Sequence, residues 1–116
     1  QPPVEEWLRR GVGLEAIFAG DDESAYGALQ VLQRWGKRVP GDVALVGFDD
    51  IYFAQYLNPP LTTVRAPIET AGRLATEQLL RILDREELTA PEILLPTELV
   101  IRESCGCQST RTSTGG

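Results

Sequence analysis

The sequence has no histidine, a single lysine (Lys37) and two cysteines, Cys105 and Cys107. Without histidine a Ser-His-Asp triad cannot form within the chain, and two thiols with no imidazole do not make a tetrahedral zinc set. Cys105 and Cys107 are separated by one residue, too close for an unstrained disulfide of the usual geometry, so they read as ordinary thiols near a chain end. Lys37 lies in a turn after a helix and not at a strand end, where a magnesium-dependent phospho-acceptor site needs its lysine. No glycine-rich loop runs into Lys-Ser or Lys-Thr, which excludes the common phosphate-binding loop. No apolar run is long enough to span a bilayer, and the proline- and glutamate-containing start does not resemble a secretory signal. Basic residues are scarce too: 11 Lys and Arg stand against 17 Asp and Glu, a net charge of −6, with the arginines scattered. Such a chain repels phosphate backbones and is not expected to bind DNA itself. Its apolar content of 42% over 116 residues is still enough for a core.

Val43-Ala44-Leu45-Val46-Gly47-Phe48 is a continuous apolar run bounded upstream by Val39-Pro40-Gly41-Asp42, the pattern of a strand covered on both faces. It ends in Asp49-Asp50. An earlier run, Ala16 to Ala19, likewise ends in Gly20-Asp21-Asp22 and leads into an amphipathic stretch from Glu23 to Trp35, which Gly36 stops as a left-handed cap. Strand, helix and strand make a β-α-β unit. Its crossover is right-handed and its strands are parallel, about 4.8 Å apart, so both end on one sheet edge and Asp21 and Asp49 fall near each other. Open α/β sheets bind ligands beyond the carboxyl ends of their strands, and an ionised carboxylate takes two neighbouring hydroxyl donors at once. Asp21 and Asp49 are therefore the candidate ligand contacts. Asp22 is read as capping the helix N-terminus and Asp50 as opening a turn.

Ile51 to Asn58 is aromatic and apolar for a surface connection. The helix residues Ala25, Tyr26, Ala28, Leu29, Val31, Leu32 and Trp35 cover more than one stripe. Either one face meets the sheet and another a partner, or the helix is sandwiched within its own lobe. Pro59-Pro60 stiffens a link, Leu61 to Arg65 reads as extended, and Pro67 opens a second helix at its first position. Ile68, Ala71, Leu74, Ala75, Leu79, Ile82 and Leu83 keep helical spacing over about four turns and need a sheet to cover. In this chain alone that face is expected to seek another copy, giving an intertwined or extensively packed oligomer. A short amphipathic piece, Val4 to Arg10, is ended by Gly11, and Glu98 to Arg102 carries the last strand signal. Residues 106–116 are expected to form a disordered tail.

Five segments, Ala19-Gly20-Asp21-Asp22-Glu23 to Leu29, Arg38 to Val43, Val46-Gly47-Phe48-Asp49-Asp50, Pro60-Leu61-Thr62-Thr63-Val64 and Leu95 to Ser104, resemble in order the C-terminal part of a lactose-repressor (LacI/GalR) family regulator. The likeness runs from Ile17 to Cys105. It implies an α/β, parallel-sheet fold of the periplasmic-binding-protein-like (type I) kind, present in part: most of the C-terminal half of one lobe, with a strand and helix of the other. The implied boundaries are 1–60 and 91–105 for the C-terminal lobe and 61–90 for the contribution to the N-terminal lobe, placing Pro60, Thr62 and Thr63 at the hinge. By resemblance, Asp49 matches the family's recurrent effector contact. Asp21 falls where many members carry an Asn or Asp that bonds a sugar hydroxyl. The region of Tyr56 and Leu57 would pack across a homodimer with the helix that carries Tyr26 and Leu29. The family's DNA-binding helix-turn-helix sits at the far N-terminus, and nothing in Gln1 to Arg10 matches it.

The expected function is the ligand-sensing and dimerisation part of a cytoplasmic LacI-type regulator, a repressor responding to a small effector, a sugar before a nucleobase. No cofactor, metal or membrane partner is expected. Bound effector would hold the lobes closed and alter how paired DNA-binding domains sit on operator half-sites. A periplasmic sugar-binding receptor of the same fold and an assembly module without ligand are the other classes open to these residues. A carboxylate-pair hydrolase through Asp21 and Asp49 lacks a third positioned group, so no enzymatic activity is expected.

Overall fold

A computed structural model describes residues 2–86 and 92–107. From residue 108 onward the expected disordered tail lies outside the described residues, as does Pro91 at the start of the expected return to the first lobe. The elements are α1 (Pro2–Arg9), β1 (Ala16–Phe18), α2 (Asp22–Arg34), β2 (Ala44–Val46), a 3-10 helix (Tyr52–Tyr56), β3 (Thr63–Arg65), α3 (Ile68–Leu83) and β4 (Glu98–Val100). Of the described residues, those up to Arg65 and from Leu99 onward form one compact unit, and those from Ala66 to Glu98 form a second.

The first unit contains the expected β-α-β crossover. β1 and β2 are parallel, with Ala16, Ile17 and Phe18 opposite Ala44, Leu45 and Val46. On the other edge of β2, Thr62 bridges Val46 in parallel, and the Gly47 and Asp49 N–H groups donate to the Thr62 and Val64 carbonyls, both at 2.9 Å. β4 pairs with β3. α2 forms where small and apolar residues recur at helical spacing, and it buries Ala25, Ala28, Leu29, Val31 and Leu32 against β2 and α1. Val4 and Leu8 of α1, Leu45 of β2, Ala54 and Leu61 complete this core. Truncating a fully buried leucine such as Leu32 to alanine costs roughly 2–5 kcal/mol. Trp35 closes α2, and Gly36 at φ +73° supplies the left-handed stop.

Two expectations are corrected here, the two-sided cover of β2 and the first residue of α3. β2 is not covered on both faces within the first unit: Leu45 is fully buried, but Phe18 on the opposite face of the adjoining β1 is 69% exposed. Leu61, Thr62 and Thr63 are buried within the first unit, which passes into the second at Arg65–Ala66. Pro67 is the N-cap of α3 and not its first helical residue. The aromatic connection is a 3-10 helix whose Ala54 is fully buried, held by the Leu61 N–H donating to the Ala54 carbonyl at 3.0 Å.

In the second unit α3 follows its predicted spacing, yet none of its residues is buried. Leu79, Leu80, Ile82 and Leu83 stay more than half exposed, while Arg73 and Glu77 pair one turn apart at 3.2 Å.

Candidate functional site

The parallel register brings the ends of β1 and β2 together. The Ala19 N–H donates to the Val46 carbonyl at 2.8 Å, and one turn on the Asp22 N–H donates to the Phe48 carbonyl at 2.9 Å. The backbone thus sets Asp21-Asp22 beside Phe48-Asp49, as the crossover argument requires.

The four acids of this edge divide differently from expectation. Asp21, and not Asp22, is the N-cap of α2: its Oδ1 accepts the Ser24 N–H at 2.7 Å. That backbone donor and the Ser24 hydroxyl hold the exposed carboxyl below its ordinary value, so Asp21 is anionic at neutral pH. Asp22 is fully buried. Its Oδ1 accepts the Thr63 hydroxyl at 2.6 Å and its Oδ2 the Ile51 N–H at 2.8 Å. Gly47 is required next to it, since a Cβ there would lie 2.3 Å from Asp22 Oδ1.

Asp50 does more than open a turn. Its Oδ1 pairs with Arg102 Nη2 and its Oδ2 with Arg65 Nε, each at 2.8 Å, and the side chain is only 11% exposed. Burial pushes the Asp50 carboxyl up, but the hydrogen bonds and charges of the two guanidinium groups outweigh it and hold the pKa below the ordinary value. Arg102 also donates from Nη1 to the Leu61 carbonyl at 2.9 Å, so one guanidinium clasps the Asp50 loop and the approach to β3.

Asp49 sits between these fixed points. It is partly exposed, and its carboxylate makes no hydrogen bond or ion pair among the described residues. Its backbone is in the left-handed half of conformational space, φ +114°, followed by Asp50 at φ +53°. Two successive non-glycine residues there cost about 1–3 kcal/mol each and persist only where the surroundings enforce them. The Asp49 N–H to the Val64 carbonyl at 2.9 Å, the Asp50 N–H to Thr63 Oγ1 at 3.3 Å and the Asp50 ion pairs do so.

Behind this edge, the Thr62 N–H donates to Ser104 Oγ at 2.8 Å, and the Ser104 hydroxyl donates to the Leu45 carbonyl. The Arg102 N–H donates to Thr62 Oγ1 at 2.8 Å. Thr62 and Thr63 are thus buried cross-links within the first unit. Sequence reasoning missed Asp22, Arg102 and Ser104, and its one usable signal was the glycine two residues before Asp49.

The expected interface residues separate as well. Leu29, at 3% exposure, lies in the unit's own core. Tyr26 is partly exposed and meets Phe53 edge-on at 5.6 Å. Tyr56 is exposed beside Tyr52 at 5.5 Å, and Leu57 leans on the core. A surface hollow lined by Gly13, Leu14, Asp42 and Val43 opens at the opposite end of the strands and includes none of Asp21, Asp22, Asp49 and Asp50. Among the described residues no three metal-ligating groups cluster, and no helix is long and apolar enough to cross a membrane.

The model of the periplasmic binding protein-like domain matches residues 2–105. The probable HTH-type transcriptional repressor ExuR of Bacillus subtilis is 40% identical over 89 residues, 77% of this chain and 27% of that protein. The solved lac repressor dimer bound to operator and the anti-inducer ONPF aligns with a TM-score of 0.82 at 28% identity, covering 89% of this chain and 36% of that one. The solved complex of the transcriptional regulator CelR with cellobiose aligns with a TM-score of 0.81 at 39% identity, covering 87% and 31%. The chain spans 27% to 36% of the length of these proteins. On its fold, its acid-tipped parallel edge and these likenesses, the chain belongs to the periplasmic binding protein-like domain family, as part of the effector-binding domain of a LacI-type regulator.

Proposed function

We propose that this chain supplies the effector contacts of a LacI-type transcriptional repressor, with Asp49 and Asp21 accepting hydrogen bonds from neighbouring hydroxyls of a sugar. One observation carries the reading: the Asp49 carboxylate has no protein partner among the described residues, yet its strained backbone is pinned on both sides. A side chain held rigidly and left without a partner is preorganised for a ligand. Two adjacent carboxylate acceptors, one of them already kept anionic by its helix cap, match a polyol and repel a phosphate. The CelR relative is solved with cellobiose, which supports a sugar.

Under this reading Tyr26, Tyr56 and Leu57 face the second copy of a homodimer, as the lac repressor relative is a dimer on its operator. Pro60, Thr62 and Thr63 serve the hinge from the first unit's side, transmitting effector occupancy toward the crossing at Arg65–Ala66. The regulator works in the cytoplasm and reaches DNA through a helix-turn-helix domain. Effector binding shifts a two-state equilibrium of the dimer and so changes operator affinity by linkage.

A thermal-shift screen of sugars, sugar phosphates and nucleobases on the intact regulator tests the proposal. A cognate ligand at 100 times its Kd stabilises by about 2.7 kcal/mol. The expected outcome is a response to an uncharged sugar that Asp49→Ala removes. A response that survives Asp49→Ala unchanged overturns the assignment.

A further inference from the structure

Cys105 and Cys107 take no part in the acid edge, and both are free thiols. Cys105 is half-buried just beyond β4, and its Sγ accepts the Thr62 hydroxyl at 3.2 Å and the Cys107 backbone N–H at 3.3 Å. Gly106 between them has φ +76°. This left-handed step folds Cys107 back over Cys105, and a side chain there would be strained and would meet Pro40 at 3.4 Å. Cys107 is exposed.

We propose that Cys105 and Cys107 form a thiol–disulfide exchange site for low-molecular-weight disulfides of the glutathione class, Cys105 attacking and Cys107 resolving. A sulfur that accepts two donors is stabilised as the thiolate, the form that reacts. Burial pushes the Cys105 thiol up, but hydrogen bonds from Cys107 and Thr62 outweigh this and hold its pKa below the ordinary thiol value. Cys107 is pushed the other way by its hydrogen bond to Cys105. The neighbours are thus unequal, as attacking and resolving thiols are.

In the first step the Cys105 thiolate bonds to one sulfur of the small disulfide, whose S–S bond breaks. The other half leaves as a thiolate and takes up a proton. In the second, Cys107 gives its proton to water, its sulfur bonds to Cys105 Sγ, and the held half leaves as a thiolate. The two protein thiols are oxidised to one disulfide while the small disulfide is reduced to two thiols. A bridge with one intervening residue is strained, and strained disulfides are the readily reduced ones, so excess thiol resets the site. Transient bridges of this sort suit a reducing compartment, where structural disulfides do not persist.

The test exposes the full chain and its Cys105→Ser and Cys107→Ser variants to glutathione disulfide at neutral pH, with acid quenching and peptide mass spectrometry. Serine keeps an acceptor for Thr62, so both variants should fold. The wild type should yield a peptide that has lost two hydrogens, restored by excess dithiothreitol. Cys107→Ser should trap one glutathionyl group on Cys105, and Cys105→Ser should react several-fold more slowly. Equal rates in the two variants, a glutathionyl group held on Cys107 of the wild type, or bridges only between chains would overturn the proposal.

Discussion

The Thr63 hydroxyl donates to Asp22 Oδ1 at 2.6 Å, joining β3 to the first turn of α2 behind the carboxyl end of β2. Both residues are fully buried, and the other Asp22 oxygen holds the loop after Asp50 through the Ile51 N–H. One carboxyl group therefore ties β3 to the two segments that carry the acids, the start of α2 with Asp21 and the loop with Asp49 and Asp50.

Asp22→Ala removes both acceptors and leaves the Thr63 hydroxyl and Ile51 N–H without partners in a dry site. The expected loss is about 2–4 kcal/mol, because each buried group stranded in this way costs roughly 1–3 kcal/mol. Thr63→Val keeps the shape but deletes both this bond and the one that Thr63 Oγ1 accepts from the Asp50 N–H, so a loss of similar size, about 2–4 kcal/mol, is expected. Urea unfolding of the two single variants and the double variant measures the coupling. An additive pair of losses would contradict the direct bond, since residues in contact are non-additive.

Gly47→Ala places a methyl group 2.3 Å from Asp22 Oδ1 and 3.0 Å from Leu61 Cδ2. Neither neighbour is a free side-chain end, so the Asp22 hydrogen bonds must distort, and a loss of about 2–4 kcal/mol is expected from overpacking together with weakened bonds. In the Asp22→Ala background the same change should cost much less. An unchanged cost there would place the clash elsewhere.

The β-α-β unit, the Gly36 stop of its helix and the juxtaposition of the two strand ends were legible in the sequence because each rests on local signals: apolar runs, a glycine after the last helical turn and the sign of a crossover. The division of labour within each Asp-Asp pair was not. Asp21 and Asp22 have the same side chain one residue apart, and only the entry angle of α2 decides which caps and which turns inward. Arg102 and Ser104 reach Asp50 and Thr62 across 52 and 42 residues of sequence, a tertiary pairing that periodicity cannot foresee. The two apolar stripes of α2 left a partner and a helix sandwiched within its own lobe both open, because periodicity does not say which element covers a stripe; α1 packs on α2 within the same unit.

Asp50 ties stability to pH. Its folded-state pKa lies below the ordinary carboxyl value of 3.8, so over the interval between the two the unfolded chain binds more protons and stability falls as pH drops. The contribution is full above the ordinary value and is lost as pH falls through the folded one. Asp50→Asn should lower stability at neutral pH by about 1–3 kcal/mol, between the worth of exposed and buried pairs, since Arg102 is 17% and Arg65 50% exposed. It should also flatten the acid limb in urea midpoints followed from about pH 6 to about pH 2. An acid limb equally steep in the variant would assign it to other carboxylates.

Asp49→Gly separates ligand chemistry from folding. Glycine adopts φ +114° without the steric cost that aspartate bears there, and the Asp49 carboxylate makes no bond among the described residues that the change would break. Relief of roughly 1–3 kcal/mol of strain, set against about 0.5–1 kcal/mol of added chain entropy, predicts a net gain of about 1 kcal/mol, visible as a melting temperature a few degrees higher. The same variant should lose its sugar-dependent shift, because the gain comes from removing the group that the strain exists to hold. A residue kept at a conformational cost with no internal partner is what a binding site leaves in a fold. If Asp49→Gly proved both less stable and fully responsive to the sugar, the strained aspartate would be structural and the effector would be read by other residues.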